Sequence, residues 1–126
     1  MKKTSLTKEE KQLLLNDLCG RIPHGVKVNN EIQGDFNIYG ICENLVFGRN
    51  EVCHIDFNIE NIKPYLFPLS SMTEEQESDL NLYLRLDKEP IMRSVKEIDW
   101  YNKNHFDIHG LIPLGLAIDC TNLNIY

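Results

Sequence analysis

The sequence predicts an α+β fold: an N-terminal helix, an antiparallel sheet of about four or five strands, and two later helices packed on it. Three observations carry this expectation. Apolar side chains recur at helical spacing over residues 7–22, switch to a period of two over residues 26–59, and return to helical spacing over residues 71–105. A chain of 126 residues can bury one core without staples. No repeat, low-complexity tract or composition shift divides it, so a single domain over residues 1–126 is expected.

Thr7 with Glu10 forms a capping box, in which each side chain satisfies an orphan amide of the first helical turn. Leu14, Leu18 and Ile22, broadened by Leu15 and Cys19, make an apolar stripe, and Gly20 is a natural stop. The first helix is therefore expected over about residues 8–19. From Val26 the chain is extended: Val26, Val28 and Ile32 share one face, and residues 33–35 turn it back. Phe36, Ile38 and Cys42 alternate with Asn37, Tyr39 and Ile41, apolar on both sides and hence central. Residues 45–47 continue or pair with that strand, and residues 48–51 read as a hairpin loop. Cys53, Ile55, Phe57 and Ile59 then point inward, and His54, Asp56 and Asn58 outward. Such short strands joined by tight turns make a meander able to curl into a small barrel.

Pro64 and Pro68 bar regular central pairing, so residues 63–72 should form an edge strand or an extended connector. The second helix opens at a capping box, Ser71 with Glu74 or Thr73 with Gln76, and its early acidic residues suit the helix dipole. Leu80, Tyr83 and Leu84 form its apolar face, widened by Leu82 and Leu86. Residues 87–90 end it, and residues 91–93 link to a third helix opened by Ser94 and Glu97. Along that helix Val95, Ile98, Tyr101 and His105 recur one turn apart. Trp100, the only tryptophan, is expected to anchor the core. Leu111, Ile112, Leu114, Leu116 and Ile118 read as an extended run returning to the sheet.

A net charge of −6, with no basic run, argues against a general nucleic-acid binder. No stretch reaches the roughly 18 apolar residues of a membrane span. The basic start is followed by charges rather than an apolar segment, so residence in the cytoplasm is the expectation. Cys19, Cys42, Cys53 and Cys120 show no CxxC spacing and read as reduced, buried small hydrophobes.

Three segments carry a resemblance: Asp17-Leu-Cys-Gly-Arg-Ile-Pro-His-Gly-Val-Lys27, then residues 62–75, then residues 98–117. Together they resemble a family of short proteins frequent in gut Bacteroides genomes and their phages. The resemblance implies a setting on a phage or mobile element and transfers no activity. Two departures stand out: the family often has arginine where this chain has Phe67, and a Tyr-Arg pair where it has Ile108 and His109.

Most of the chemistry-bearing side chains lie in the last third. His105, Asp107 and His109 could hold zinc if their segment were helical, although Gly110 favours a turn in which Asp107 caps backbone amides. Cys53 and His54 fall on opposite faces of a strand and cannot form a nucleophile and base pair. The carboxylates lack a metal-binding spacing, and the glycines sit singly. The expectation is a non-enzymatic protein-binding module without a cofactor or metal, whose partner is a host or phage protein. Self-association is a further expectation. The candidate binding residues are Tyr65, Phe67, Trp100, Tyr101, His105, Phe106, Asp107 and His109. Two alternatives remain open: a nucleic-acid-associated protein using Lys63, Arg93, Lys96 and Lys103 beside the aromatics, and a metal-dependent enzyme built on His105, Asp107 and His109.

Overall fold

A computed structural model describes residues 6–126, so the basic start of the chain lies outside the described residues. The architecture is α+β. Helix α1 (Lys8–Arg21) precedes strands β1 (Val26–Asn30), β2 (Gly34–Cys42), β3 (Leu45–Arg49), β4 (His54–Asn58) and β5 (Lys63–Leu66). Helices α2 (Glu74–Arg85) and α3 (Pro90–Lys103) follow, and β6 (Ile118–Asp119) ends the order. The strands form one open sheet in the order β4-β3-β2-β1-β5-β6, antiparallel except for the β5–β6 pair. The sheet thus has six strands rather than four or five, is mixed, and does not close into a barrel. Among the described residues no helix is long and apolar enough to cross a membrane.

Both Thr7 and Glu10 make the bonds of a capping box, at 3.0 and 3.1 Å, and α1 then runs two residues past the expected stop. Gly20 does not end the helix. A Cβ there would lie 2.8 Å from Asn102 Nδ2, so the glycine lets α3 cross closely. The end comes at a 3-10 turn, Ile22–His24, where Pro23 cannot continue the α-helix and Gly25 takes φ +82°.

β1 and β2 pair in register from Val26↔Ile38 to Asn30↔Gly34. This leaves Ile32 at the exposed hairpin tip instead of on the inner face. Between β2 and β3 the register slips, Ile38↔Gly48 being followed by Gly40↔Phe47, so Tyr39 is a bulge. The bulge shifts the alternation by one: Ile41 packs toward the core and Cys42 is exposed. Only Cys120 of the four free cysteines is fully buried, against the expectation for all of them. β4 keeps the expected phase, with Phe57 inward and His54 outward.

β5 lies inside the sheet, not at its edge. Pro64 is tolerated because β5 pairs with β1 over only two residues, Val28↔Pro64 and Asn29↔Lys63. Where the strands part, the Tyr126 hydroxyl accepts from the Lys27 amide at 2.9 Å and donates to the Tyr65 carbonyl at 3.0 Å.

Thr73 with Gln76, of the two candidate boxes, caps α2. α3 begins at Pro90, not at Ser94. Proline at the first helical position needs no amide partner and has its φ preset, whereas Ser94 lies inside the helix and donates back to the Pro90 carbonyl at 3.2 Å. α2 and α3 form a hairpin, and α3 packs on α1. Residues 111–117 are a succession of turns rather than an extended run, and only Ile118 and Asp119 join the sheet. The core lies between α1, through Leu14 and Leu18, and the inner sheet face of Val26, Val28, Phe36, Ile38 and Val46. Leu111 and Leu116 complete it.

Candidate functional site

The corner where α1, β5 and the segment after α3 meet is built around a buried ion pair. Positions 14, 17, 18 and 21 share one face of α1, which places Asp17 and Arg21 beside Leu14 and Leu18 against the protein. Arg21 is 0% exposed and Asp17 1%. The guanidinium donates to both carboxylate oxygens, Nε to Oδ2 at 2.7 Å and Nη2 to Oδ1 at 3.0 Å. Nη2 also reaches the Phe106 carbonyl at 2.5 Å. His109 Nδ1 lies 2.7 Å from the same Asp17 Oδ1, so one carboxylate ties α1 to the chain after α3. A second link, His24 Nε2 to Asp99 Oδ1 at 2.8 Å, joins the exit of α1 to α3.

Past α3 the backbone turns through His105, at φ +65°. It then pairs briefly with the residue after β5: Phe67 N–H donates to the His105 carbonyl at 2.8 Å, and Asp107 N–H to the Phe67 carbonyl at 2.9 Å. The Asp107 carboxylate accepts from the amides of Leu111 at 2.7 Å and Ile112 at 2.9 Å. It caps the turn, the second of the two roles its spacing allowed.

Phe106, 1% exposed, is the aromatic anchor here. Trp100 is only half-buried and stacks on it at 5.7 Å, with Tyr101 edge-on at 6.3 Å and Phe67 tilted at 6.1 Å. Tyr101 directs its hydroxyl to Glu97 at 3.4 Å. Tyr65 is buried and donates to Asp35 at 2.6 Å; burial and then that carboxylate push its pKa up to about 12. His105 stacks on Tyr126 with centroids 3.4 Å apart and planes 7° from parallel. Burial first, then the charges of Arg21, His24 and Lys27, push the His105 pKa down to about 4. Arg21 Nη1, Asn102 Oδ1 and His105 Nδ1 are buried without a hydrogen-bond partner among the described residues.

All eight candidate residues except Tyr65 therefore meet at this corner, and Tyr65 is on β5, two residues before Phe67. The three polar residues suspected of holding a metal are each held elsewhere: Asp107 on two amides, His109 on Asp17, His105 against Tyr126. Among the described residues no three His, Cys, Asp or Glu side chains are grouped to hold a metal ion. The residues of the suspected basic patch lie on β5 and α3. Lys63 sits on β5, Lys96 of α3 is paired with Asp87 at 3.4 Å and lies over the Tyr83 ring, and Arg93 and Lys103 of the same helix are exposed. Asp17 and Arg21 were overlooked as site residues, although opposite charges four apart on a leucine face are a readable signal.

The outer face of the sheet holds a second constellation. Cross-strand register places Asn37, Arg49 and His54 in one row and Gly40, Phe47 and Asp56 in the next. The bulged Tyr39 lies between them, 6.4 Å from the Phe47 ring and 6.0 Å from the His54 ring, with the Arg49 guanidinium 5.4 Å over it. Gly40 makes the room: a Cβ there would come within 3.3 Å of Phe47 Cδ2. Tyr39 is 46% exposed, and Arg49, His54 and Asp56 are also exposed. Comparison with protein-family models, curated proteins and solved structures finds no match to this chain.

Proposed function

We propose that this protein is a non-enzymatic protein-binding module, an accessory protein of a phage or other mobile element that acts in the cytoplasm on a host or phage protein. The observation that carries the reading is the uncovered cluster of Tyr39, Phe47, Arg49 and His54 on the sheet face opposite α1. Tyrosine, phenylalanine and arginine are enriched where proteins bind one another, because each offers large contact area and tyrosine and arginine add hydrogen-bonding groups. The corner contributes less free surface. Its hydrogen-bonding groups are largely spent on the fold, leaving the half-buried Trp100 and Tyr101 at its rim. The mobile-element setting rests on the family resemblance of residues 17–27, 62–75 and 98–117.

Affinity capture with the wild-type chain and with Tyr39→Ala/Arg49→Ala tests the reading. A partner retained by the first and lost by the second, with unchanged circular dichroism, is the expected result. Identical captured sets would overturn it. Salt-dependent binding of single-stranded DNA through the same two residues would turn it toward nucleic acid, whose bases stack on such rings.

A further inference from the structure

α3 has two opposed faces. Lys96, Glu97, Trp100 and Tyr101 lie on the side of α2, where Lys96 pairs with Asp87 and covers the Tyr83 ring. The opposite side carries Ile91, Val95, Ile98 and Asn102, which follow one another by four, three and four residues and so form one stripe. Only the last of them is covered, Asn102 being buried where α1 passes at Gly20. Upstream the stripe stands open: Ile91 is 72% exposed, Val95 54% and Ile98 53%, with Met92 beside them at 45%.

We propose that this stripe is the interface of a homodimer in which α3 packs antiparallel on α3 of a second copy, about a two-fold axis near Val95. The spacing is that of an apolar coiled-coil seam, whose residues pack as knobs into the facing helix. It is also complementary to itself. Ile91 lies one turn before Val95 and Ile98 nearly one turn after, so antiparallel packing sets each Ile91 beside the partner's Ile98 and Val95 beside its own copy, as a two-fold interface requires.

The area fits a second copy. At these exposures the four side chains present roughly 400–500 Å² of apolar surface, in the upper range for the largest patch on a monomer. Interfaces are about 56–65% apolar, so one centred on this stripe covers roughly 700–800 Å² per copy, the size of a standard stable interface. Leu82 of α2 is 63% exposed, two residues from the buried Leu80 and so on the other side of that helix, and it belongs to a different element from the seam. The sheet face is likewise separate, so this inference goes beyond the function proposed above and stands or falls independently of it.

Sedimentation equilibrium of the full chain decides the matter. The wild type and a Leu82→Glu control should sediment at twice the 14.7 kDa chain mass. Val95→Glu should sediment as a monomer, its dissociation constant raised by about a hundredfold or more. Val95 is exposed in the single chain, so circular dichroism should not change. If Val95→Glu does lose helical signal, Ile91→Lys at the most exposed seam position reads the same interface. A wild type that stays monomeric at about 100 μM, or seam variants that dimerise as tightly as wild type, would overturn the proposal.

Discussion

Replacing Arg21 by methionine removes the cation from the buried pair while keeping an unbranched apolar stem. Three hydrogen bonds go with it: those to Asp17 at 2.7 and 3.0 Å, and that to the Phe106 carbonyl at 2.5 Å. The Asp17 carboxylate, 1% exposed, is then left with His109 as its partner. An uncompensated buried charge costs about 3–5 kcal/mol, a large part of the roughly 5–15 kcal/mol that holds a domain together. Asp17→Leu should cost a similar amount, because it strands the guanidinium, one of whose amino groups (Nη1) already lacks a partner. Removing both charges lifts the desolvation penalty of the pair, so Asp17→Leu/Arg21→Met should cost about 2 kcal/mol or more less than the two single losses added together. Urea denaturation followed by circular dichroism gives all four stabilities. A cost below about 1 kcal/mol for Arg21→Met, or strict additivity in the cycle, would refute the view that this pair joins α1 to the corner.

Three further perturbations read other parts of the same frame. Gly20→Ala should lower stability by about 1–2 kcal/mol despite the helix propensity of alanine, because its Cβ meets Asn102 at 2.8 Å; thermal melts should show partial recovery in Gly20→Ala/Asn102→Ala. His105 has a folded-state pKa of about 4 against an ordinary 6.5, so the unfolded chain takes up the proton first as pH falls. Its contribution is complete above pH 6.5 and disappears between there and pH 4; discounted for partial exposure it amounts to about 1–2 kcal/mol, and His105→Phe should flatten that part of the stability profile. Asp107→Ala should cost about 2–3 kcal/mol by stranding two amides, with Asp107→Asn milder, and hydrogen exchange should accelerate at Leu111 and Ile112.

What the sequence disclosed and what it withheld divide along the range of the forces involved. The capping box at Thr7, the pair of candidate boxes before α2 and the alternation of β4 depend on neighbours a few residues away; the first and last read correctly, and the structure chose Thr73 of the pair. Long-range contacts decided the rest. Nothing next to Tyr39 announces the bulge, because it is the pairing with β3 that makes one residue extra. β6 has two residues and exists only because β5 lies beside it. Gly20 was readable as a residue lacking a Cβ, but that absence serves a helix crossing rather than a helix end. At the start of α3 two local signals competed, and Pro90 prevailed over Ser94 with Glu97. The site was half legible. The residues gathered at the corner were named from composition and spacing, while their principal partners, Asp17 and Arg21, lay more than eighty residues away in the chain.

At the corner Asp17 is engaged by Arg21 and His109 and Asp107 by two amides, while His105 is stacked face to face on Tyr126. Two open surfaces are of another sort, the aromatic and guanidinium cluster around Tyr39 and the aliphatic stripe around Val95. Such surfaces gain free energy by being covered rather than by reacting. If α3 joins two copies, each dimer also carries two sheet faces. A repetitive partner would then be held by both, with an avidity beyond that of a single face wherever the spacing of the faces matches the repeat.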